Sequence, residues 1–180
     1  MRSRGRRIRT TLLVLTLFLL PAVVACGGGK TVVSDPAAKK GVLAEKSSDD
    51  RFIVQDDETV LDTKTNLMWA AKDNGADISY TDAKSYCEQY RGGGYKDWRV
   101  PTQDELRQLY DENKSRPAPC DRRYKIHIAT ERIHISCVAS WSSETRGSDA
   151  AYLSFGSGRR YWGPQSSETS TRILPVRSGK

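Results

Sequence analysis

The chain has 180 residues, of which 37% are hydrophobic and 28% are charged. That length suits one domain with flanking segments. The formal net charge of +7 comes from 29 basic and 22 acidic residues, but five arginines lie within residues 1–25, where there is no acidic residue. Because this segment accounts for most of the excess, the basic character is not a nucleic-acid signature, and we expect no nucleic-acid partner.

The amino-terminal segment predicts export and a lipid anchor. The arginines precede an apolar run, Leu12 to Ala25, that is too short for a membrane-spanning helix. Cys26 follows, and the junction resembles the lipobox of bacterial lipoproteins. This resemblance implies a signal peptide over residues 1–25, cleavage before Cys26, lipidation of its thiol and anchoring in the bacterial cell envelope. Gly27 in place of Asp implies the outer membrane. An ordinary signal peptide that carries a cysteine is the alternative.

Residues 26–50 predict a flexible tether, because they are rich in small and charged residues and have no periodic apolar face. Residues 51–180 then form one domain. Three short strands are expected at its start, over residues 51–55, 59–62 and 67–70. A tight turn joins the last two strands, where Asn66 tolerates the left-handed conformation.

A helix is predicted to open at Thr81, whose side chain can cap free N–H groups. Its apolar face, at helical spacing, consists of Ala83, Tyr86, Cys87 and Tyr90. Three glycines, residues 92–94, end it. Later in the chain, residues 150–162 predict a hairpin around Gly156-Ser157-Gly158.

The stretch GYKDWRVPTQDEL, residues 94–106, concentrates polar groups and invites a catalytic interpretation. Thr102 and Glu105, however, form the T-x-x-E pattern of a capping box, which starts a helix. Paired carboxylates acting in acid–base catalysis are the alternative, but a general base needs a reacting partner, and nothing nearby supplies one. We therefore predict that the stretch is scaffold and that it holds no catalytic residue.

Several elements together resemble the Lcl C-terminal domain family. They are residues 62–69 (DTKTNLMW), the helix with Cys87, residues 94–106, Trp141-Ser142-Ser143 and Val176-Arg177. The likeness covers roughly residues 52–177. It implies an α+β domain with a C-type-lectin-like fold, in which two helices pack on a curled antiparallel sheet. It also implies the binding of sulfated glycans, which is attributed to some members, and self-association, since related adhesin domains form trimers.

The chain departs from the family pattern at two positions. Asn66 stands where the family usually has Gly. The final strand, residues 172–177 (RILPVR), lacks the Cys that the family pairs with the Cys of the first helix, and Pro175 indicates an edge or bulged strand. If Cys26 is lipidated, three cysteines remain. We predict a Cys120–Cys137 disulfide with Cys87 free and buried; a different pair, or none, is the alternative.

The segment between Cys120 and Cys137 alternates basic and apolar residues. The candidate ligand-binding residues are Arg122, Arg123, Lys125, His127, Arg132 and His134. The alternation predicts two strands, although the turn between them lacks Gly or Asn. Pairing inward from the cysteines would set Arg123 opposite His134 and Lys125 opposite Arg132, with all the basic groups on one face. Like charges in such positions destabilise a sheet, and a bound anion would relieve them. A solvated basic face is the alternative.

The predicted ligand is an anionic polysaccharide, either sulfated or rich in uronic acids, and an envelope protein is the alternative partner. We expect no cofactor and no metal, because His127 and His134 without further ligands at suitable spacing make a poor zinc site. A structural envelope component without a soluble ligand is another alternative.

The enzymatic alternative is an oxidase that resembles the formylglycine-generating enzymes, which share the broad fold and an element like residues 99–105. Those enzymes use a reactive Cys pair or copper near the carboxyl terminus, whereas here no Cys follows Cys137. The sequence also lacks the motifs of serine hydrolases, zinc proteases and P-loop proteins. We therefore predict a protein that is not an enzyme.

Overall fold

The computed structural model describes residues 48–55 and 58–179, which belong to one compact unit. The predicted signal peptide, Cys26 and most of the predicted tether lie outside the described residues. The helices are α1 (Ser48–Arg51), α2 (Tyr80–Gln89) and α3 (Gln103–Leu109), with a 3-10 turn at Gly92–Gly94. The described strands are β1 (Phe52–Val54), β2 (Thr59–Asp62), β3 (Leu67–Ala70), β4 (Arg116–Pro117), β5 (Lys125–Ile126), β6 (Ala139–Arg146), β7 (Asp149–Ser154), β8 (Arg160–Pro164), β9 (Thr171–Arg172) and β10 (Val176–Ser178).

The first sheet has the strand order β1-β2-β3-β10, with every pair antiparallel. Its inward side chains include Phe52, Val60 and Trp69, each at most 1% exposed. Asn66 adopts φ +53° in the turn between β2 and β3, so the left-handed turn is confirmed. Asp62 stabilises the same turn by accepting hydrogen bonds from the Lys64 N–H and the Thr65 hydroxyl.

The second sheet has the order β8-β7-β6-β9, in which β9 runs parallel to β6 and the other pairs are antiparallel. Trp141 on β6 is 1% exposed and donates its indole N–H to the Ile78 carbonyl, 2.8 Å away. The hairpin predicted around Gly156-Ser157-Gly158 is confirmed as β7 and β8. Gly158 has φ +67°, and a Cβ there would lie 2.8 Å from the Tyr110 ring, so this position requires glycine.

Residues 171–178, which contain β9 and β10, link the two sheets. Pro175 interrupts this segment, so β9 forms the edge of the second sheet and β10 forms the edge of the first. The edge placement predicted from the proline is therefore confirmed. A smaller, two-stranded sheet pairs β4 with β5. With helices and mainly antiparallel sheets, the predicted α+β class is confirmed.

The start of α2 differs from the prediction. Ser79, not Thr81, is the N-cap, because its hydroxyl accepts from the Asp82 N–H at 3.2 Å and Tyr80 already has helical conformation. Both Ser and Thr are good capping residues, and burial decides between them. Tyr80 is 6% exposed and packs edge-on against Trp141, which fixes the first helical turn two residues earlier.

The capping box at α3 is confirmed, and it forms part of a larger polar cluster. Glu105 accepts from the Thr102 N–H at 2.8 Å, and Arg99 binds both of its oxygens at 2.8 and 2.6 Å. Burial alone would raise the pKa of Glu105, but the hydrogen bonds from Arg99 and Thr102 outweigh burial and hold this pKa below its ordinary value. The backbone of Arg99 also pairs with Val176. This stretch is therefore scaffold that ties α3 to β10.

Candidate functional site

A disulfide frames the basic segment. Cys120 and Cys137 are bonded with their Cα atoms 5.1 Å apart, and Cys87 is free and buried, so the predicted pairing is confirmed. Burial, with a smaller contribution from Glu88, raises the pKa of the Cys87 thiol to about 12. The thiol is therefore protonated at neutral pH and acts as a small apolar side chain of the core.

The alternation within the segment is confirmed. The isoleucines face the core, and each is at most 4% exposed: Ile126, Ile128, Ile133 and Ile135. Of the six basic residues between them, His127 is half-buried and the other five are exposed: Arg122, Arg123, Lys125, Arg132 and His134. The segment thus covers the core with its apolar residues and presents its cations to solvent.

The predicted hairpin is wrong. Neither Arg123 with His134 nor Lys125 with Arg132 forms a pair, because each arm bonds to a different part of the fold. Lys125 pairs with Pro117 across the β4–β5 sheet. The N–H of His134 instead donates to the Ala71 carbonyl at 2.8 Å. The buried isoleucines draw both arms onto the core, and the missing turn residues leave nothing local to hold the arms together.

The candidate residues therefore do not form one charged face. Arg123 forms an ion pair with Asp121 at 2.6 Å on the surface and lines none of the three clefts. The His127 ring lies 5.7 Å from the Tyr110 ring, and its Nδ1 atom is 3.3 Å from the Glu112 carbonyl oxygen. Arg132 and His134 line two different clefts.

Arg132 belongs to the more charged cleft, which we call the basic cleft. Its volume is about 510 Å³, and it is lined by Lys114, Ser115, Arg116, Ile126, Ile128, Glu131 and Arg132. Three of these side chains are cationic and one is anionic. The two isoleucines form the floor but are almost fully buried, so Ser115 and the charged residues supply most of the exposed lining. A volume of this size suits a ligand of one or two sugar rings.

Arg116 is the residue that the sequence analysis missed. It pairs with Ile126 in the β4–β5 sheet, and cross-strand partners share a face, so its side chain starts beside a fully buried isoleucine, although the residue as a whole is partly exposed. Its Nε and Nη2 atoms are buried and have no hydrogen-bond partner among the described residues. The position of Arg116 could not be read from the sequence, because it depends on β4, and not the second arm of the predicted hairpin, being the partner of β5.

Arg116 also lines the second, smaller cleft, of about 260 Å³, together with His134 and Asp73. Asp73 accepts three hydrogen bonds there. One of its oxygens accepts from the N–H and hydroxyl of Ser136 at 2.6 and 2.9 Å, and the other accepts from the Gly75 N–H at 3.0 Å. The guanidinium of Arg116 therefore stands in the wall between two clefts.

A third cleft, of about 880 Å³, lies between α2 and the residues that precede α3. Its lining includes Tyr80, Trp98 and the buried thiol of Cys87. The indole N–H of Trp98 donates to the Gly92 carbonyl at 3.1 Å, and the Tyr80 hydroxyl donates to the Ser143 carbonyl at 3.2 Å. The cleft lining also includes Lys84, Glu88 and Arg99, of which Arg99 is paired with Glu105. This cleft is therefore polar but carries less excess positive charge than the basic cleft does.

Among the described residues, no group of three or more His, Cys, Asp or Glu side chains is arranged to hold a metal ion. None of the described helices combines the length and apolar character that a membrane span requires.

The comparison with known families agrees with the resemblance carried by residues 62–69 and 94–106. A family model, described as the Lcl C-terminal domain, matches residues 58–177. A search of curated proteins returned no match. The family match spans most of the described chain, from β2 to β10, and therefore includes the second sheet, the first sheet apart from β1, and the basic cleft. The chain belongs to the Lcl C-terminal domain family.

Proposed function

We propose that this protein is a non-catalytic, lectin-like binding module of the bacterial cell envelope, and that its ligand is an anionic glycan held in the basic cleft. The charge of that cleft carries the proposal. Lys114, Arg116 and Arg132 line the cleft together with one acidic residue, Glu131, in a volume that suits a sugar unit, and Lys114 also donates to the Ala129 carbonyl at 2.8 Å. Cations held close together at a partly enclosed site repel one another, and an anionic ligand relieves that repulsion.

The outward cations next to the cleft support the same ligand class. Arg122 and Lys125 are exposed on the segment that also supplies the cleft floor. Exposed charges of this kind contribute long-range attraction more than affinity. A polymer with repeated negative charges would engage both them and the cleft, whereas a single small anion would engage the cleft alone.

The amino-terminal sequence supports an envelope location. A lipid on Cys26 together with acylation of the new amino terminus would anchor the chain stably, because several acyl chains hold a protein where one does not. The C-type-lectin-like fold is part of the same proposal, and it accords with the α+β architecture and with a ligand site formed by chain that follows the second long helix.

The proposal is tested by titrating the full chain, purified in a non-ionic detergent, with dextran sulfate, alginate and neutral dextran at low and high salt. We expect salt-sensitive binding to one or both of the charged polymers and none to dextran. The double variant Lys114→Gln with Arg132→Gln should weaken that binding.

A matched control is Arg91→Gln with Lys96→Gln, which removes the same two charges from exposed positions that line none of the three clefts. Equal loss in both double variants would show that binding follows net charge and not the cleft. An absence of binding to either charged polymer would refute the proposed ligand class.

A second candidate function is the binding of an envelope protein or of another copy of this chain. It is favoured by exposed apolar side chains on two edge strands: Ile53 and Val54 on β1, and Tyr161 and Trp162 on β8, which are 37–49% exposed. Exposed edge strands can pair with another chain. Sedimentation over a range of concentrations would test self-association, which Trp162→Ser should weaken if β8 is the interface.

A further inference from the structure

The hydrogen-bond partners of the Nε and Nη2 atoms can be compared in three arginines of this chain, Arg51, Arg177 and Arg116. Arg51 donates its Nε and Nη2 hydrogens to the two carboxylate oxygens of Asp62. Arg177 uses the same two atoms for Asp97, at 2.7 and 3.1 Å. This edge carries two parallel N–H groups whose spacing matches the two oxygens of a carboxylate.

Arg116 has the same edge buried and unpaired. Its Nε and Nη2 atoms find no acceptor among the described residues. Leaving such groups without a partner is costly, because burial removes them from water and returns no hydrogen bond. A buried polar group of this kind in a folded protein calls for an explanation, and a ligand is one.

Neither acidic residue that lines the adjoining clefts supplies the missing acceptor. Asp73 accepts its three hydrogen bonds from Gly75 and Ser136 and none from the Nε or Nη2 atom of Arg116. Glu131 is exposed at the rim of the basic cleft and makes no ion pair with Arg116. Arg116 is partly exposed and lines the basic cleft, so a rotation of its side chain toward the cleft would bring Nε and Nη2 to a bound ligand.

We propose that Arg116 is the receptor for one carboxylate of a sugar acid bound in the basic cleft, through a two-pronged contact from Nε and Nη2. This inference rests on the proposed function and narrows it from anionic glycans to those that present a carboxylate. Ile126 and Ile128 are almost fully buried beneath the cleft, so a bound sugar ring would meet mainly the polar lining. Lys114, Ser115 and Arg132 on the walls then face its hydroxyl groups.

The test uses glucuronate, its neutral amide glucuronamide, and glucose 6-sulfate as probes, each titrated into the full chain and followed by NMR. We expect glucuronate to bind about tenfold or more tighter than glucuronamide, since only the carboxylate can accept both N–H groups. Glucose 6-sulfate separates a general oxyanion site from a carboxylate site, and we expect it to bind more weakly than glucuronate.

Arg116→Lys is the decisive variant, because it keeps the positive charge and removes the paired donors. We expect it to weaken glucuronate binding by about tenfold, whereas the control Arg91→Lys leaves binding unchanged. Arg116→Met provides a folding check. Without ligand it should melt at the same temperature as the parent chain or higher, because it removes two buried N–H groups that have no acceptor, and glucuronate should no longer raise its melting temperature.

Two results would overturn the inference: glucuronate that binds no better than glucuronamide, or an Arg116→Lys variant that binds glucuronate as well as the parent chain does. If either of these results were found while dextran sulfate still bound in a manner dependent on Lys114 and Arg132, the inference would fail but the proposed function would stand. If neither the polymers nor glucuronate bound, both would fail.

Discussion

The contacts of Glu105 allow a quantitative prediction of how the stretch before α3 stabilises the fold. Replacing Glu105 with Ala removes the half of the capping box that reaches back to the Thr102 N–H, which is worth about 1 kcal/mol. It also removes the paired contact with Arg99, whose side chain is 45% exposed, so solvent reduces that ion pair to about 0.5–1 kcal/mol. Together they predict a loss of about 1.5–2 kcal/mol in the free energy of unfolding.

The assay is urea denaturation of the purified chain, followed by circular dichroism. Glu88→Ala is the control, because Glu88 is an exposed carboxylate on α2, and its loss should change stability by less than about 0.5 kcal/mol. A double-mutant cycle with Arg99→Ala should return a coupling of about 0.5–1 kcal/mol. A Glu105→Ala variant as stable as the parent chain would refute the scaffold interpretation of this stretch.

Four further predictions concern the cysteines and the buried acids. Replacing Cys120 and Cys137 together with Ser should lower the free energy of unfolding by about 3 kcal/mol, because the bond closes a loop with a sequence separation of 17; a loss under about 1 kcal/mol in urea titrations would contradict this. Cys87 should react with iodoacetamide at pH 8 far more slowly in the native chain than in urea, since its pKa is about 12 and it is buried; equal rates would show that it is accessible. Burial alone would raise the pKa of Asp62, but Arg51, Thr65 and Lys64 hold this pKa below its ordinary value. Arg99 and Thr102 do the same for the pKa of Glu105. The two ionised carboxylates therefore stabilise the fold near neutral pH, and this stabilisation should be lost as pH drops below about 4. In a pH series of melting temperatures, Asp62→Asn should reduce the fall in melting temperature at low pH, and an unchanged fall would show that Asp62 does not contribute to it. Cys26→Ser should move the chain from the membrane fraction to the soluble fraction and remove the lipid mass from its amino-terminal peptide, and an unaltered distribution would exclude the lipid anchor.

Features encoded within a few residues could be predicted from the sequence. The capping box at Thr102 and Glu105, the left-handed turn at Asn66 and the hairpin turn at Gly158 each depend on a local conformational preference. The fold class and the family followed from the arrangement of these local signals along the chain. The same kind of reasoning failed by two residues at the start of α2, because Ser79 and Thr81 are both good caps and the burial of Tyr80 decides between them.

Strand pairing in the basic segment could not be predicted in this way. The alternation of residues indicated correctly which side chains face the core, since the isoleucines are buried and the neighbouring cations are mainly exposed. It could not indicate which strand lies alongside, because that depends on contacts far apart in the chain, such as His127 with Phe155 and His134 with Ala71. The role of Arg116 depends on one of these pairings, and it was missed for that reason.

The location of the ligand is the central claim, and hydrogen–deuterium exchange of the full chain with and without alginate tests it most directly. The account predicts that alginate slows exchange in residues 114–134, which carry the walls and floor of the basic cleft. The Lys114→Gln with Arg132→Gln variant should lose that protection. Protection confined to residues 78–102 or to β8 would contradict the account, because it would place the ligand at the larger cleft or on the exposed aromatic strand.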